Sequence, residues 1–141
     1  MPQQSEKDNF NLLLNGNFSD GGANWTPNSS EKVEFVDSYC GLQFGAQITQ
    51  KVKMDKAGDF EFAVRMKTDG GFACRAILEM FPSRETKQLD ISGGIPWTRK
   101  ETTFKAPAGT TEMTVTLFAS DGVQGKLGSY IDYVSLVTVS N

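Results

Sequence analysis

The side chains in this sequence best suited to ligand chemistry are three charged and two aromatic residues that share one predicted sheet face: Arg65, Arg75, Glu79, Phe81 and Phe118. Each belongs to a stretch in which apolar residues recur at every second position, the period of a strand with one buried side. The five take the alternate positions, so we expect them to point away from the core. Burying the charged ones there would cost far more free energy, which supports this choice of face.

This mixture of guanidinium, carboxylate and aromatic groups suits a sugar. Sugar rings have C–H faces that pack on aromatic rings, and their hydroxyl groups form charge-assisted hydrogen bonds, which are the stronger kind. A solvated sheet face would normally carry fewer large apolar groups. The alternative interpretation is an ordinary ion-paired face, partly covered by a long loop predicted over residues 82–96.

The sequence argues against catalysis. It contains no histidine, which removes the usual general base, the usual zinc ligand and the usual partner of a nucleophilic Ser or Cys. Glycoside hydrolysis needs two carboxyl groups roughly 5–9.5 Å apart, and Glu61 and Glu79 are the pair that neighbouring strands could supply. Ion pairing with Arg65 and Arg75 explains them more simply, so we expect no enzyme activity.

Composition restricts the partners further. The 14 basic and 17 acidic residues give a net charge of −3, which argues against nucleic acid as a partner because nucleic-acid binders carry a basic stripe. No apolar run approaches the roughly 18 residues needed to span a bilayer. Cys40 and Cys74 are too few for a zinc site or a disulfide framework, and we expect buried thiols. A disulfide between them is left open.

The pattern along the chain is that of one all-β domain. Residues 1–9 are polar and predict a flexible leader without the apolar stretch of a signal peptide, and residues 10–141 predict the domain. Short β-rich stretches alternate with turn residues, as in a sandwich or barrel. The predicted strands are 11–14, 33–36, 42–44, 46–54, 58–68, 72–81, 98–105, 112–119 and 129–139. We expect the first and last of them to pair.

A set of short motifs follows in a fixed order over nearly the whole domain. They are Asn15-Gly16-Asn17-Phe18, Trp25-Thr26, Gly45-Ala46-Gln47-Ile48-Thr49-Gln50-Lys51-Val52, Gly58-Asp59-Phe60-Glu61-Phe62, Trp97-Thr98, Thr103-Phe104-Lys105-Ala106-Pro107 and Ile131-Asp132-Tyr133-Val134-Ser135-Leu136. In this order the sequence resembles the jelly-roll carbohydrate-binding modules of the galactose-binding-domain-like superfamily. The resemblance implies a single-domain jelly-roll β-sandwich of two antiparallel sheets. It also implies a non-catalytic, lectin-like domain that binds a glycan or polysaccharide on the outer sheet face or at the loop edge.

The resemblance further implies a structural Ca²⁺ where the first and last strands meet, held by main-chain oxygens and carboxylates. Asp132 matches the acidic position of the family before the final strand. The acidic residue that usually follows the Phe of the first motif is replaced by Ser19, and Asp20 comes one place later. This departure weakens the expected shell. The alternative is that Asp132 accepts main-chain N–H bonds of a turn.

Aromatic residues outside the motifs are the remaining candidates for ligand rings. Trp25 and Trp97 match family positions that usually pack in or beside the core, so neither is assigned to the ligand. Tyr39 and Tyr130 fall in predicted Gly/Ser-rich loops, where scaffolds often display binding groups, and they join Phe72, Phe81 and Phe118 as candidates.

A second function class stays open beside glycan binding. The same jelly roll serves as a structural or protein-interaction module, as in a virion, tail-fibre or toxin-complex component. In that case other protein domains or a homo-oligomer would cover Phe81 and Phe118. The resemblance favours an extracellular or cell-surface setting, whereas the chain shows no signal peptide.

Overall fold

The computed structural model describes residues 11–36, 38–54 and 57–139, so the predicted leader over residues 1–9 lies outside the described residues. This part of the chain forms ten strands and one short 3₁₀ helix, Ser30–Lys32. The strands are β1 Thr26–Pro27, β2 Val33–Val36, β3 Tyr39–Gln43, β4 Gln47–Lys53, β5 Gly58–Thr68, β6 Ala73–Phe81, β7 Thr86–Ser92, β8 Ile95–Ala106, β9 Glu112–Asp121 and β10 Leu127–Thr138. None of the described helices is long and apolar enough to cross a membrane.

The strands form two five-stranded sheets. The first, called the β6 sheet, has the order β1-β4-β9-β6-β7, and the second, called the β5 sheet, has the order β2-β3-β10-β5-β8. Every pairing between neighbouring strands is antiparallel. The expected jelly-roll β-sandwich of two antiparallel sheets is confirmed.

The core lies between the two sheets and follows the predicted alternation. Phe62 and Met66 of β5, Leu78 of β6 and Leu117 of β9 are fully buried, as is Ile131 of β10. Burying a side chain of this size contributes about 1.5–3 kcal/mol relative to leaving it exposed. The faces assigned within residues 60–66, 74–81 and 114–118 were therefore predicted correctly, except that Ala63, assigned to the outer face, is fully buried. Phe72, a candidate ligand ring in the sequence, is also buried and is therefore not available to a ligand.

The predicted strand over residues 11–14 is wrong, because this segment forms a bend and a turn. It still runs beside β10, where the Leu12 N–H donates to the Leu136 carbonyl at 2.8 Å. The side chain of Asn11 supplies further bonds to β10, since its Oδ1 accepts from the N–H of Leu136 and its Nδ2 donates to the carbonyl of Val134. The two ends of the domain meet as predicted, but a side-chain amide replaces part of the strand ladder.

Residues 86–92 form β7 and not part of a long loop, so the prediction of a loop over residues 82–96 is also wrong. Leu89 and Ile91 of this strand point into the core. Their two-residue alternation is short, and it stands between Pro82 and the Gly93-Gly94 pair, which are loop signals in sequence.

Tyr39 and Tyr130 lie in strands β3 and β10 and not in loops, which corrects their predicted setting. Both are half-buried, and their ring centres are 6.0 Å apart in an edge-to-face arrangement. Cys40 and Cys74 are buried free thiols, as expected, on the inner sides of β3 and β6.

Candidate functional site

The seven predicted ligand-binding residues fall on two opposite faces of the sandwich. The outer face of the β6 sheet carries Arg75, Glu79, Phe81 and Phe118, and the outer face of the β5 sheet carries Arg65, Tyr39 and Tyr130. The prediction that all charged candidates share one face is wrong because β5 and β6, although consecutive in sequence, belong to different sheets. Glu61 and Glu79 are separated in the same way.

On the outer face of the β6 sheet, strand register brings a ring, a guanidinium and a carboxylate into one row. Phe118 of β9 lies directly opposite Arg75 of β6, and Asp90 of β7 lies opposite Arg75 on its other side. Directly opposed residues have Cβ atoms about 4.5–5.5 Å apart, so their side chains interact. Asp90 was missed in the sequence because its strand was predicted to be a loop.

Arg75 and Asp90 line a depression of about 250 Å³ that also contains the hydroxyl side chains of Ser92 and Ser120; we call it the Arg75 pocket. The Nε of Arg75 is 3.7 Å from Oδ2 of Asp90, which is an ion-pair contact but too long for a hydrogen bond. This Nε is buried, and it has no hydrogen-bond partner among the described residues. An unsatisfied buried donor costs about 1–3 kcal/mol. The Arg75 and Asp90 side chains are 39% and 52% exposed, so a ligand can reach the rest of this ion pair.

Glu79 and Phe81, at the other end of β6, already have a partner within the protein. The carboxylate of Glu79 pairs with the guanidinium of Arg84 in the β6–β7 turn. The Cζ of Arg84 also lies 5.2 Å from the centre of the Phe81 ring. Both candidates are therefore on the predicted face, but a residue that sequence reasoning missed covers them.

On the outer face of the β5 sheet, Arg65 is paired on two sides. It forms an ion pair with Asp132, and its Cζ lies 5.0 Å from the centre of the Trp97 ring. Trp97 is half-buried beside Arg65. Its exposed edge was not assigned to a ligand in the sequence, although Trp97, Arg99 and Glu101 alternate along β8 as outward residues do.

Tyr130, the second aromatic candidate on this face, is also engaged. Its hydroxyl lies 3.3 Å from Oδ2 of Asp69, to which it donates, and the Nζ of Lys67 is 5.3 Å from its ring centre. Burial, followed by the nearby charge of Asp69, raises the pKa of the Tyr130 hydroxyl. The neutral hydroxyl is therefore favoured, and it acts as a donor.

The predicted calcium ligands are not gathered into a carboxylate shell. Asp132 sits at an irregularity in the pairing of β10 with β5, and its Oδ2 is taken by Arg65. Its Oδ1 is buried and has no hydrogen-bond partner within the described part of the chain. Burial raises the pKa of Asp132, although Arg65 acts in the opposite direction. Ser19 and Asp20 lie exposed in a turn.

Among the described residues, no three or more His, Cys, Asp or Glu side chains lie together in a group that could hold a metal ion. Within the described residues no carboxylate-rich shell therefore surrounds Asp132, and Arg65 already balances its charge. The calcium site stays a prediction.

The sequence matches no protein-family model and no curated protein. The fold, in contrast, is similar to many solved structures. TmCBM61, in complex with β-1,4-galactotriose, has a TM-score of 0.70 at 15% identity, over 92% of this chain and 99% of that one. A CBM4 carbohydrate-binding module has a TM-score of 0.65 at 12% identity, over 89% of this chain and 98% of that one.

The enzymatically active domain of tailspike protein 4 from bacteriophage CBA120 has a TM-score of 0.69 at 15% identity. The match covers 92% of this chain but 22% of the tailspike chain. Structural similarity at sequence identities this low shows a shared fold alone. The described residues have the jelly-roll fold of carbohydrate-binding modules, and the function has to be argued from the site.

Proposed function

We propose that this chain is a non-catalytic carbohydrate-binding domain and that it binds a glycan at the Arg75 pocket. The observation that carries the proposal is the loose ion pair in this pocket: the Nε of Arg75 is 3.7 Å from Oδ2 of Asp90, and the two side chains are 39% and 52% exposed. A sugar hydroxyl is both a donor and an acceptor, so one hydroxyl could accept from Arg75 and donate to Asp90. Both bonds would be charge-assisted.

Phe118 supplies the apolar contact that this arrangement needs. Its half-buried ring is next to Arg75 in register, so a sugar held by Arg75 and Asp90 would lie with a C–H face near the ring. The hydroxyl groups of Ser92 and Ser120 offer further hydrogen bonds at the same pocket. The fold shared with TmCBM61, whose structure contains β-1,4-galactotriose, supports the same ligand class.

The absence of catalysis is part of the proposal. Glu61 and Glu79, the carboxylate pair considered for hydrolysis, lie on opposite faces of the sandwich. Each forms an ion pair with an arginine, Glu61 with Arg99 and Glu79 with Arg84. They therefore do not flank a common cleft, as the two carboxylates of a glycosidase must.

A glycan microarray, followed by affinity electrophoresis on the polysaccharides that bind, tests the proposal. We expect Arg75→Gln to weaken binding about tenfold or more, because a hydrogen bond to a charged group contributes about 1.5–3 kcal/mol. Phe118→Ala should weaken it by a similar factor through loss of the stacking surface. Arg65→Gln is the matched control, since Arg65 is 45% exposed and Arg75 39% exposed, and each has an aspartate partner.

The control also decides between the two faces. Loss of binding in Arg65→Gln with full binding in Arg75→Gln would move the site to the outer face of the β5 sheet. A folded protein that retains no plant, fungal or bacterial glycan would contradict the proposal as a whole. Melting temperatures of all variants show whether each one is folded.

The second candidate function is a structural or protein-interaction module. The similarity to a tailspike, in which a domain of this fold is 22% of the chain, favours it. In an assembly, a partner would cover the half-buried rings of Phe81 and Phe118. Light scattering after size-exclusion chromatography separates the two functions: a defined oligomer that Phe118→Ala dissociates supports assembly, and a monomer contradicts a self-assembling module.

A further inference from the structure

The segment between residues 11 and 25 is held against the edge of the β6 sheet by one buried side chain, Gln50 of β4. Its Oε1 accepts from the N–H of Leu14 at 2.8 Å, and its Nε2 donates to the carbonyl of Leu14 at 3.0 Å. The main chain of Leu14 is thus bonded as a strand neighbour would be. Its side chain is turned outward and is 58% exposed.

The rest of this loop is fixed by the amide of Asn15. It donates to the carbonyls of Gly21 and Ala23 at 2.9 and 2.8 Å and accepts from the N–H of Asp20 at 3.0 Å. The loop also contains three non-glycine residues with positive φ: Asn15, Phe18 and Asn24, at 55°, 56° and 72°. Backbone strain of this kind concentrates at functional sites, where surrounding bonds maintain it.

Two depressions flank Leu14, with volumes of about 430 and 480 Å³, and they share Leu14 and Asn24. We call them together the Leu14 groove. Thr49 and Lys51 line the first, and Tyr133, which is 38% exposed, lines the second. Volumes of about 300–1,000 Å³ are typical of small-ligand sites.

The lining indicates the class of ligand. Lys51 and Asp20 give one charge of each sign, so the groove does not select an ion by charge. The other polar groups are amides and hydroxyls, and the exposed apolar surfaces are the Leu14 side chain and the Tyr133 ring. A neutral sugar ring matches this mixture, because its hydroxyl groups can bond to the exposed amide of Asn24 and to the hydroxyl groups of the lining, while its C–H faces pack on Leu14 and Tyr133.

We propose that the Leu14 groove is a second glycan-binding site, separate from the Arg75 pocket. Strand β9 lies between β6, which carries Arg75, and β4, whose Thr49 and Lys51 line the groove. At about 4.8 Å per strand spacing this separates β4 from β6 by roughly 10 Å. The ligand class follows from the lining of the groove itself. The groove proposal therefore does not depend on glycan binding at the Arg75 pocket.

The test is a titration of ¹⁵N-labelled protein with neutral oligosaccharides that include β-1,4-galactotriose and xylohexaose, followed by amide NMR. At least one of them should shift the amide signals of Leu14, Asn17 and Asn24. The proposal is overturned if no oligosaccharide shifts these signals, or if all shifts are confined to strands β6, β7 and β9.

Variants then separate the two sites. Leu14→Ala removes an exposed side chain, and Asn24→Gly removes the amide while the φ of 72° suits glycine. Combined, they should weaken binding at the groove at least tenfold. Val123→Ala is the matched control, because Val123 is also an exposed aliphatic residue, 47% exposed, in the β9–β10 loop.

Phe118→Ala distinguishes this inference from the proposed function. If Phe118→Ala abolishes the shifts at Leu14 and Asn24 as well, there is a single site and the groove proposal is wrong. If Phe118→Ala leaves the shifts at Leu14 and Asn24 unchanged while the combined groove variant removes them, the groove is an independent site. Loss of sheet shifts in Phe118→Ala, with no effect of the groove variants, leaves the Arg75 pocket as the site and overturns the groove.

Discussion

Two arginines on opposite faces of the sandwich differ in how their guanidinium groups are satisfied. Arg65 is paired with Asp132 and lies over the Trp97 ring. Arg75 keeps a buried Nε without a hydrogen bond among the described residues, and Asp90 is its only ion-pair partner there. The difference in partnering, and not the residue type, separates a structural arginine from a candidate ligand-binding one.

The carboxylate of Asp132 makes a pH-dependent contribution to stability. Burial raises its pKa in the folded state, so the folded protein holds this proton more tightly than the unfolded chain does. Its contribution is full below the unfolded pKa of about 3.9 and is lost as pH rises through the folded value. In the wild type, the free energy of unfolding measured with urea should therefore lose this contribution as pH rises. We expect Asp132→Asn to show no such pH-dependent loss.

Asp20→Asn, in an exposed turn, is the control for that measurement. A contribution of Asp132 that grows with rising pH would contradict the assignment.

Repeating the wild-type unfolding in EDTA tests the calcium prediction. A lower stability in EDTA would establish the metal site, and an unchanged stability would contradict it and leave Arg65 as the partner that balances the charge of Asp132.

At the level of strands, the sequence predicts what is local and misses what is not. Alternation within residues 60–66 identified both the strand and its buried side, because that period depends on the strand alone. Which sheet a strand joins depends on its partners, so the sequence could not separate β5 from β6. Predicting the Arg75 pocket requires both the strand assignment and the strand partners, because Asp90 reaches the pocket from the neighbouring strand β7.

The attachment of Leu14 to β4 is a second non-local feature, and it can be tested through Gln50. Gln50→Leu keeps a similar volume but leaves the N–H and carbonyl of Leu14 without their partner. We expect the free energy of unfolding to fall by about 1–3 kcal/mol and hydrogen exchange at the Leu14 amide to accelerate. Gln47→Leu, on the outer side of the same strand, is the control. Unchanged exchange at Leu14 in Gln50→Leu would show that this bond does not hold the segment.

At the level of the whole molecule, one core joins the two sheets. The side chain of Cys40 projects into this core from strand β3 of one sheet, and that of Cys74 projects into it from strand β6 of the other sheet. Burial raises the pKa of both thiols, that of Cys74 to about 12. Since the thiolate is the reactive form, both cysteines are protected by burial and by protonation at the same time.

We therefore expect a thiol reagent such as dithionitrobenzoate to modify the native protein only at the rate of global unfolding. Both thiols should react at once in urea without a reductant, because both are free. Failure to react in urea would instead show that they form a disulfide. Fast modification of one cysteine in the native state would mean that one sheet opens without the other. Equal and slow modification of Cys40 and Cys74, at rates that rise together with urea, is the result expected of a sandwich that unfolds as one unit.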